Sequence, residues 1–207
     1  MKCKYHNTKF TPKYFNQKFC LSDDECIKAF NEFVKAEKEK QRVKQWQKEK
    51  KVIEAKNKTL SDWQKELQKE INTIVRLIDK GSGCISCGGQ TTPAGGHYHS
   101  TGSNRSITFH LDDIHLQDFN CNNWKSANLH KYDLGLIERY GNDYWNYIKF
   151  DIPKLFPLLK MAKNDYIEKI KIARQIVKEL QKADLTYSAN VRLELRKKYN
   201  ERLGIYN

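Results

Sequence analysis

Between Gly83 and Lys131 the sequence gathers five of its six histidines, three of its six cysteines and most of its glycines. Imidazole, thiol, carboxylate and amide groups at this density suggest metal chemistry rather than a packed core. Cys84 and Cys87 form a C-x-x-C followed by Gly88-Gly89, a turn typical of a zinc knuckle. A redox use of the pair would call for a βαβ pattern around it, and none is visible. Cys121 is a third thiol. Asp118 stands three residues before it, where a second C-x-x-C would have its first cysteine, and is the first candidate for a fourth ligand; His115 is the second. Near the N-terminus, Cys3, His6, Cys20 and Cys26 make another set of four N/S donors, enough for a tetrahedral structural zinc. So short a segment has too little core to fold alone, and a metal would supply the missing stability. The plain alternative for the N-terminal set is incidental free thiols, and for the Cys84 set a degenerate knuckle held by packing. His97 and His99 alternate as on a strand, so they point to one face.

The elements that must carry these groups read as follows. Ser22 and Glu25 resemble a capping box that starts a helix. From Ile27 to Lys80 the pattern is helical, with Phe30, Phe33, Val34, Val43 and Trp46 set among Lys and Glu and no Gly or Pro before Gly81. Lys44, Lys48 and Lys51 lie in its most basic part, which reads as a solvated helix laced with i,i+4 pairs or as an arm lying along phosphates. Thr59 or Ser61 starts a second helix, whose stripe of Leu60, Trp63, Leu67, Ile71, Ile74, Val75 and Ile78 belongs to a core. The insert then reads strand, turn, strand, helix. His97 is on the first strand, Ser100 to Asn104 form the turn, Ser106 to Leu111 the second strand, and Cys121-Asn122 open the helix. After Tyr132 the chain is helical again, broken by Gly141, Pro153 and Pro157. Lys160 to Lys182 and Ser188 to Leu203 form amphipathic helices, the last made basic by Arg196, Lys197 and their neighbours. The expected division is a knuckle over 1–26, a basic helical arm over 27–80, a metal-binding core over 81–135 and a helical region over 136–207.

Lys and Arg number 38 against 25 Asp and Glu, a formal charge of +13 with pI ≈ 9.4. A polyanionic partner follows, nucleic acid before an acidic membrane surface. No apolar run approaches the roughly 20 residues that span a bilayer. The first ten residues lack the apolar region of a secretion signal, so a cytoplasmic protein with free or metal-bound thiols is expected.

With those residues in view the chain resembles a known family, the NinG (Rap) recombination proteins of lambdoid phages. The resemblance is carried by the N-terminal cysteine cluster with FNQKFC, by GHYHSTG, and by DIHLQDFNCNNWKSAN. It implies an α+β fold, mostly α-helical, with a small zinc-supported ββα-metal core of HNH type and an N-terminal zinc knuckle. It also implies an endonuclease that cuts branched DNA, Holliday junctions and displacement loops, in phage recombination. Carried across, the HNH histidine is His97, the middle position falls on Asp113, where the family usually has Asn, and the last is Asn122. Asp118 stands where the family has a metal-binding cysteine, and His6 where its N-terminal pattern usually has cysteine. In this reading His97 takes the proton of the attacking water. Asn122 and His99 hold one Mg²⁺ or Mn²⁺, and Asp113 either orients His97 or ligates metal. Arg105 and Lys125 hold phosphate. Lys44, Lys48, Lys51, Arg196 and Lys197 are the further DNA contacts. Expected partners are branched double-stranded DNA, a second copy of the chain for the second cut, and other phage recombination proteins, with no membrane, in the cytoplasm of a bacterial host. The rival expectation is a non-catalytic, zinc-dependent DNA-binding accessory protein.

Overall fold

The structure, a computed structural model, describes residues 1–89, 92–123 and 128–206. They form two compact units, residues 1–58 and 59–207.

The first unit is a short folded N-terminal segment leading into one long helix. Backbone hydrogen bonds from Cys3 N to Thr8 O and from Asn7 N to Cys3 O, each 2.9 Å, curl the chain around Cys3. Lys4 N to Lys18 O, 2.9 Å, ties the returning segment to it. Phe19 is buried with Cys3 and Cys26, its ring 5.4 Å from that of Phe33 and 5.7 Å from that of Phe30. Helix α1 spans Asp24–Asn57, about 51 Å at 1.5 Å per residue. Its cap is one residue later than expected. Asp23 accepts from Cys26 N at 2.8 Å, and Ser22 donates to Asp23 instead. Carboxylate and hydroxyl both cap well, and Asp23 stands three residues before Cys26, the spacing at which a capping side chain reaches a first-turn amide. Cys26 is the one buried residue of α1.

The helical stretch over 27–80 is two helices, the second starting at Thr59 as its capping signal predicts, and they fall in different units. Helix α2 spans Leu60–Ile78 and opens on a capping box in which Thr59 and Asp62 bond each other's backbone at 3.2 and 2.9 Å. Trp63, Leu67, Ile71, Ile74, Val75 and Ile78 are buried, each stabilising by about 1.5–3 kcal/mol. They pack with Tyr166, Ile170, Ala173, Ile176, Val177 and Leu180 of α7 (Lys163–Ala183). Arg174 of α7 reaches Glu66 at 2.6 Å and Glu70 at 3.0 Å across the same pair.

Between them lies an antiparallel hairpin of β1 (Pro93–His97) and β2 (Ile114–Asp118), paired from Pro93 with Asp118 to His97 with Ile114. The second strand therefore lies later than the expected 106–111. Ile107, Phe109 and Leu111 alternate in sequence but sit in tight 3-10 turns and connecting chain and are buried. Strand-like alternation here is the pattern of a coil pressed on a helical core, not of a ladder. Helix α3 (Phe119–Asn123) follows β2 directly. Then come α4 (Leu129–Tyr140), α5 (Asn142–Asn146), a π-helical stretch over 147–151, α6 (Ile152–Leu155), and, after α7, α8 (Ala189–Leu203). Gly135 of α4 lies so close to the Ile85 carbonyl that a Cβ would stand 1.8 Å from its oxygen. Glycine is the condition for this contact. No described helix is long and apolar enough to cross a membrane.

Arg196 corrects one expectation. It shares a face of α8 with buried Tyr199 and Leu203, three and seven residues on, and is itself fully buried. Its guanidinium meets both carboxylate oxygens of buried Asp79 at 2.9 and 2.7 Å and donates to the carbonyls of Leu111 and Ile114, the latter at 2.7 Å. Asp79 also accepts from Leu116 N at 2.9 Å. Arg196 is thus a strut holding the entry to β2 against α2 and α8, and it is not free to touch DNA.

Candidate functional site

Three groups of side chains meet the chemistry read from the sequence. In the first unit Cys3, His6, Cys20 and Cys26 converge, with all four ligand atoms within 4.8 Å of one another. Cys3 Sγ lies 3.7 Å from Cys26 Sγ, and Cys20 Sγ 3.6 Å from Cys26 Sγ. His6 Nδ1 lies 3.2 Å from Cys20 Sγ and 3.8 Å from Cys3 Sγ. Metal–sulfur bonds of about 2.3 Å at tetrahedral angles put thiolates about 3.8 Å apart, so the set could hold an ion such as zinc. His6 Nε2 is 3.0 Å from Asp23, which fixes the ring so that Nδ1 faces the thiols. Burial opposes ionisation of Cys3, but the backbone amides of His6, Cys20 and Tyr5 outweigh it and bring the thiol down to about 6. That favours the thiolate a metal needs.

In the second unit Cys84, Cys87 and Cys121 converge in the same way. The Ser86 amide donates to Cys84 Sγ at 3.4 Å. The Gly89 amide lowers the Cys87 thiol, whereas burial raises Cys121 to about 11. Asp118 is outside the convergent set. Its two oxygens accept from Thr92 N at 3.2 Å and Asn120 N at 2.9 Å. His115 is elsewhere too: it is buried, its Nδ1 is 3.0 Å from Tyr132 Oη, and burial holds it well below its ordinary pKa and therefore neutral.

The third group is at the open end of the hairpin. Register places His97, the last residue of β1, beside the start of β2, and Tyr98 N to Asp113 O, 2.7 Å, continues the pairing. Asp113, 1% exposed, then sits between the two histidines. One carboxylate oxygen is 3.3 Å from His97 Nδ1; the other is 2.8 Å from His99 Nδ1 and accepts from His99 N at 3.1 Å. With the carboxylate as acceptor, the neutral form of each ring carries its proton on Nδ1 and presents the Nε2 lone pair outward. His97, His99 and Asn122 line one open cleft of about 600 Å³ with Gly95, Ser100 and Thr101. Close approach matters beneath it, since a Cβ on Gly96 would stand 2.1 Å from Gln117 Oε1.

Behind the histidines a second layer escapes any sequence reading. Tyr98, between them, donates to Asp133 at 2.5 Å; Trp145 and Lys149 reach the same carboxylate at 2.6 and 3.2 Å. Partners 12 to 35 residues apart leave no spacing signal. Of the expected phosphate contacts, Arg105 is exposed in a groove of about 910 Å³ that shares Thr101 with the cleft and also carries Lys160, which the sequence reading passed over. Lys197 is exposed beside buried Arg196. Lys44, Lys48 and Lys51 are exposed on α1, whose ion pairs use Lys40, Arg42 and Lys50. Lys125 lies outside the described residues.

The family described as "Bacteriophage Lambda NinG protein" matches residues 1–184. Among curated proteins, "Protein ninG" of Salmonella phage P22 is 40% identical over 86 residues, 41% of this chain and 42% of that protein. "Protein ninG" of Escherichia phage lambda is 38% identical over 88 residues, 42% of this chain and 43% of that protein. That of Escherichia phage 933W is 38% identical over 88 residues, 42% of this chain and 44% of that protein. The chain thus spans less than half the length of these curated relatives. No solved structure matches it. With the family matched from residue 1 to residue 184, the chain belongs to the bacteriophage lambda NinG family.

Proposed function

We propose that this protein is a metal-dependent DNA endonuclease that cuts branched DNA, four-way junctions and displacement loops, during phage recombination in the cytoplasm of the host. The observation that carries the reading is the pair His97 and His99 held on one buried carboxylate, Asp113, at the rim of a cleft that Asn122 also lines. The order strand, strand, short helix around them supports an HNH-type reading. His97 Nε2 takes the proton of the attacking water, and Asp113 is the positioning residue that fixes its tautomer. The remaining donors, His99 and Asn122, fit a divalent ion that draws most of its ligands from water and phosphate; imidazole suits Mn²⁺ better than Mg²⁺. Such an ion neutralises charge that develops on the phosphate and helps the leaving oxygen. Arg105 and Lys160 carry the strand away from the cleft, and two cuts at a junction require two copies of the chain. Zinc in each thiol cluster would hold the N-terminal segment and the base of the hairpin.

One observation favours a second reading. The described lining of the cleft contains no carboxylate, the usual partner of Mg²⁺. A chain that has kept the frame without the chemistry would bind junctions as a recombination accessory protein. Cleavage of a labelled junction, absent in EDTA and restored by Mn²⁺ or Mg²⁺, separates the two.

Two further outcomes are expected. The purified protein should contain close to two zinc ions by elemental analysis, and Cys26→Ala should lose about one of them together with protection from hydrogen exchange in residues 1–58. Unchanged zinc content in the variant would remove the first cluster from the proposal. Junction affinity should fall steeply with salt, and neutralising Lys44, Lys48 and Lys51 together should reduce the slope of log K against log salt by up to about 2.7. An unaltered slope in a titration from 50 to 200 mM salt would exclude α1 as a phosphate contact.

A further inference from the structure

The two thiol clusters are not equivalent. The first offers four ligands from its own chain. Among the described residues the second offers three, and the two candidates for a fourth read from the sequence stand elsewhere. Asp118 lies outside the convergent set, and its two carboxylate oxygens accept from Thr92 N on one side and Asn120 N on the other. The second of these bonds anchors the start of α3, so the carboxylate serves the helix terminus. His115 is turned to Tyr132. The neighbouring residues outside the described set are Gln90, Thr91, Trp124, Lys125, Ser126 and Ala127, none of which carries a thiol, imidazole or carboxylate. A cavity of about 170 Å³, lined by Cys84 of the three thiols with Arg76, Lys80, Thr92 and Asp118, lies on the Cys84 side of the cluster and has room for several waters or a small ligand.

We propose that the second cluster holds zinc through the three thiolates of Cys84, Cys87 and Cys121, and that its fourth coordination position is taken by an exchangeable ligand from solution, water or a small imidazole or thiol. Three protein ligands with an open fourth position is the arrangement of a zinc that exchanges ligands, whereas four protein ligands close a structural site. The second zinc is therefore the labile one of the two. This rests on the zinc reading of the clusters and is independent of nuclease activity.

Cobalt tests it without any cleavage assay. Wild-type protein and a Cys26→Ala variant, which leaves the second cluster as the main site, are loaded with Co²⁺, and the visible d–d bands are recorded while imidazole is added. The bands of the second cluster should shift with saturation. In Asp118→Cys, which supplies a fourth thiolate, they should be more intense and unmoved by imidazole. Asp118→Asn, which can still cap α3, should keep its Co²⁺ and its response. Zinc release to a chromophoric chelator should show one fast equivalent in wild type and none in Asp118→Cys. Loss of Co²⁺ from the second cluster in Asp118→Asn would overturn the proposal by making Asp118 the ligand. Wild-type bands indifferent to imidazole, or no metal in the cluster at all, would overturn it as well.

Discussion

His97→Ala is expected to slow junction cleavage by at least about 10²-fold, the lower end of what a positioned general base contributes. The ring stands 14% exposed at the cleft, with Nδ1 committed to Asp113, so its single task toward substrate is performed by Nε2. Removing it leaves Asp113 still held by His99 at 2.8 Å and by the His99 amide, and the fold should survive. Junction binding should change by less than about threefold, because phosphate contacts elsewhere supply most of the affinity. Asp113→Asn is the informative companion. It retains the shape but can offer an N–H where both rings require an acceptor, so it should lower the rate at saturating substrate with little change in KM. His130→Ala, exposed on α4, should cut normally. Cleavage by His97→Ala at the parent rate, measured in single turnover, would remove His97 from the chemistry.

The second large effect concerns stability. Arg196→Ala should destabilise the unit over 59–207 by about 3–5 kcal/mol, because it strands the Asp79 carboxylate at 2% exposure. For a unit of this size that lowers Tm by on the order of 10 °C. The loss is of a buried charge's partner, so a double variant, Arg196→Met with Asp79→Leu, should recover most of it. Lys197→Ala, one residue on and exposed, should stay within about 0.5 kcal/mol of the parent. Calorimetry on the four proteins checks the set. An Arg196→Ala protein that melts with the parent would mean that the ion pair at 2.7 Å does not carry the β2 entry.

Much of the candidate site was legible because metal-binding chemistry needs particular residue types at short spacing. Cys3 with His6, Cys84 with Cys87, and His97 with His99 each fall within three residues, and the structure draws each pair together. The helices were legible for a similar reason. The stripe from Trp63 to Ile78 and that from Ile170 to Leu180 are fixed by the 3.6-residue period and by caps such as Thr59. What was not legible depends on partners far apart in the chain. Apart from its place on the helical face, nothing local distinguishes Arg196, which is paired with Asp79 117 residues away, from Lys197, which is exposed. That face, shared with Tyr199 and Leu203, points Arg196 inward, whereas the net charge of the helix points to a basic surface. The misplaced second strand has the same origin. Ile107, Phe109 and Leu111 alternate because a core of distant helices buries them, and only the pairing with Pro93–His97 shows that the ladder belongs to Ile114–Asp118. The role of Asp113 as a common support for two imidazoles was open in the sequence between orienting and ligating. Its burial and its three hydrogen bonds to His97 and His99 support the orienting role.

The most direct measurement is single-turnover incubation of the zinc-loaded protein with an end-labelled four-way DNA junction, first in buffer freed of Mg²⁺ and Mn²⁺, then with Mn²⁺ or Mg²⁺ added. An endonuclease of the kind proposed binds the junction in both conditions, leaves it intact without the added ion, and produces discrete cuts near the branch point once the divalent ion is present. Tight binding with no cut under any metal would contradict the nuclease reading and leave a junction-binding recombination protein in its place.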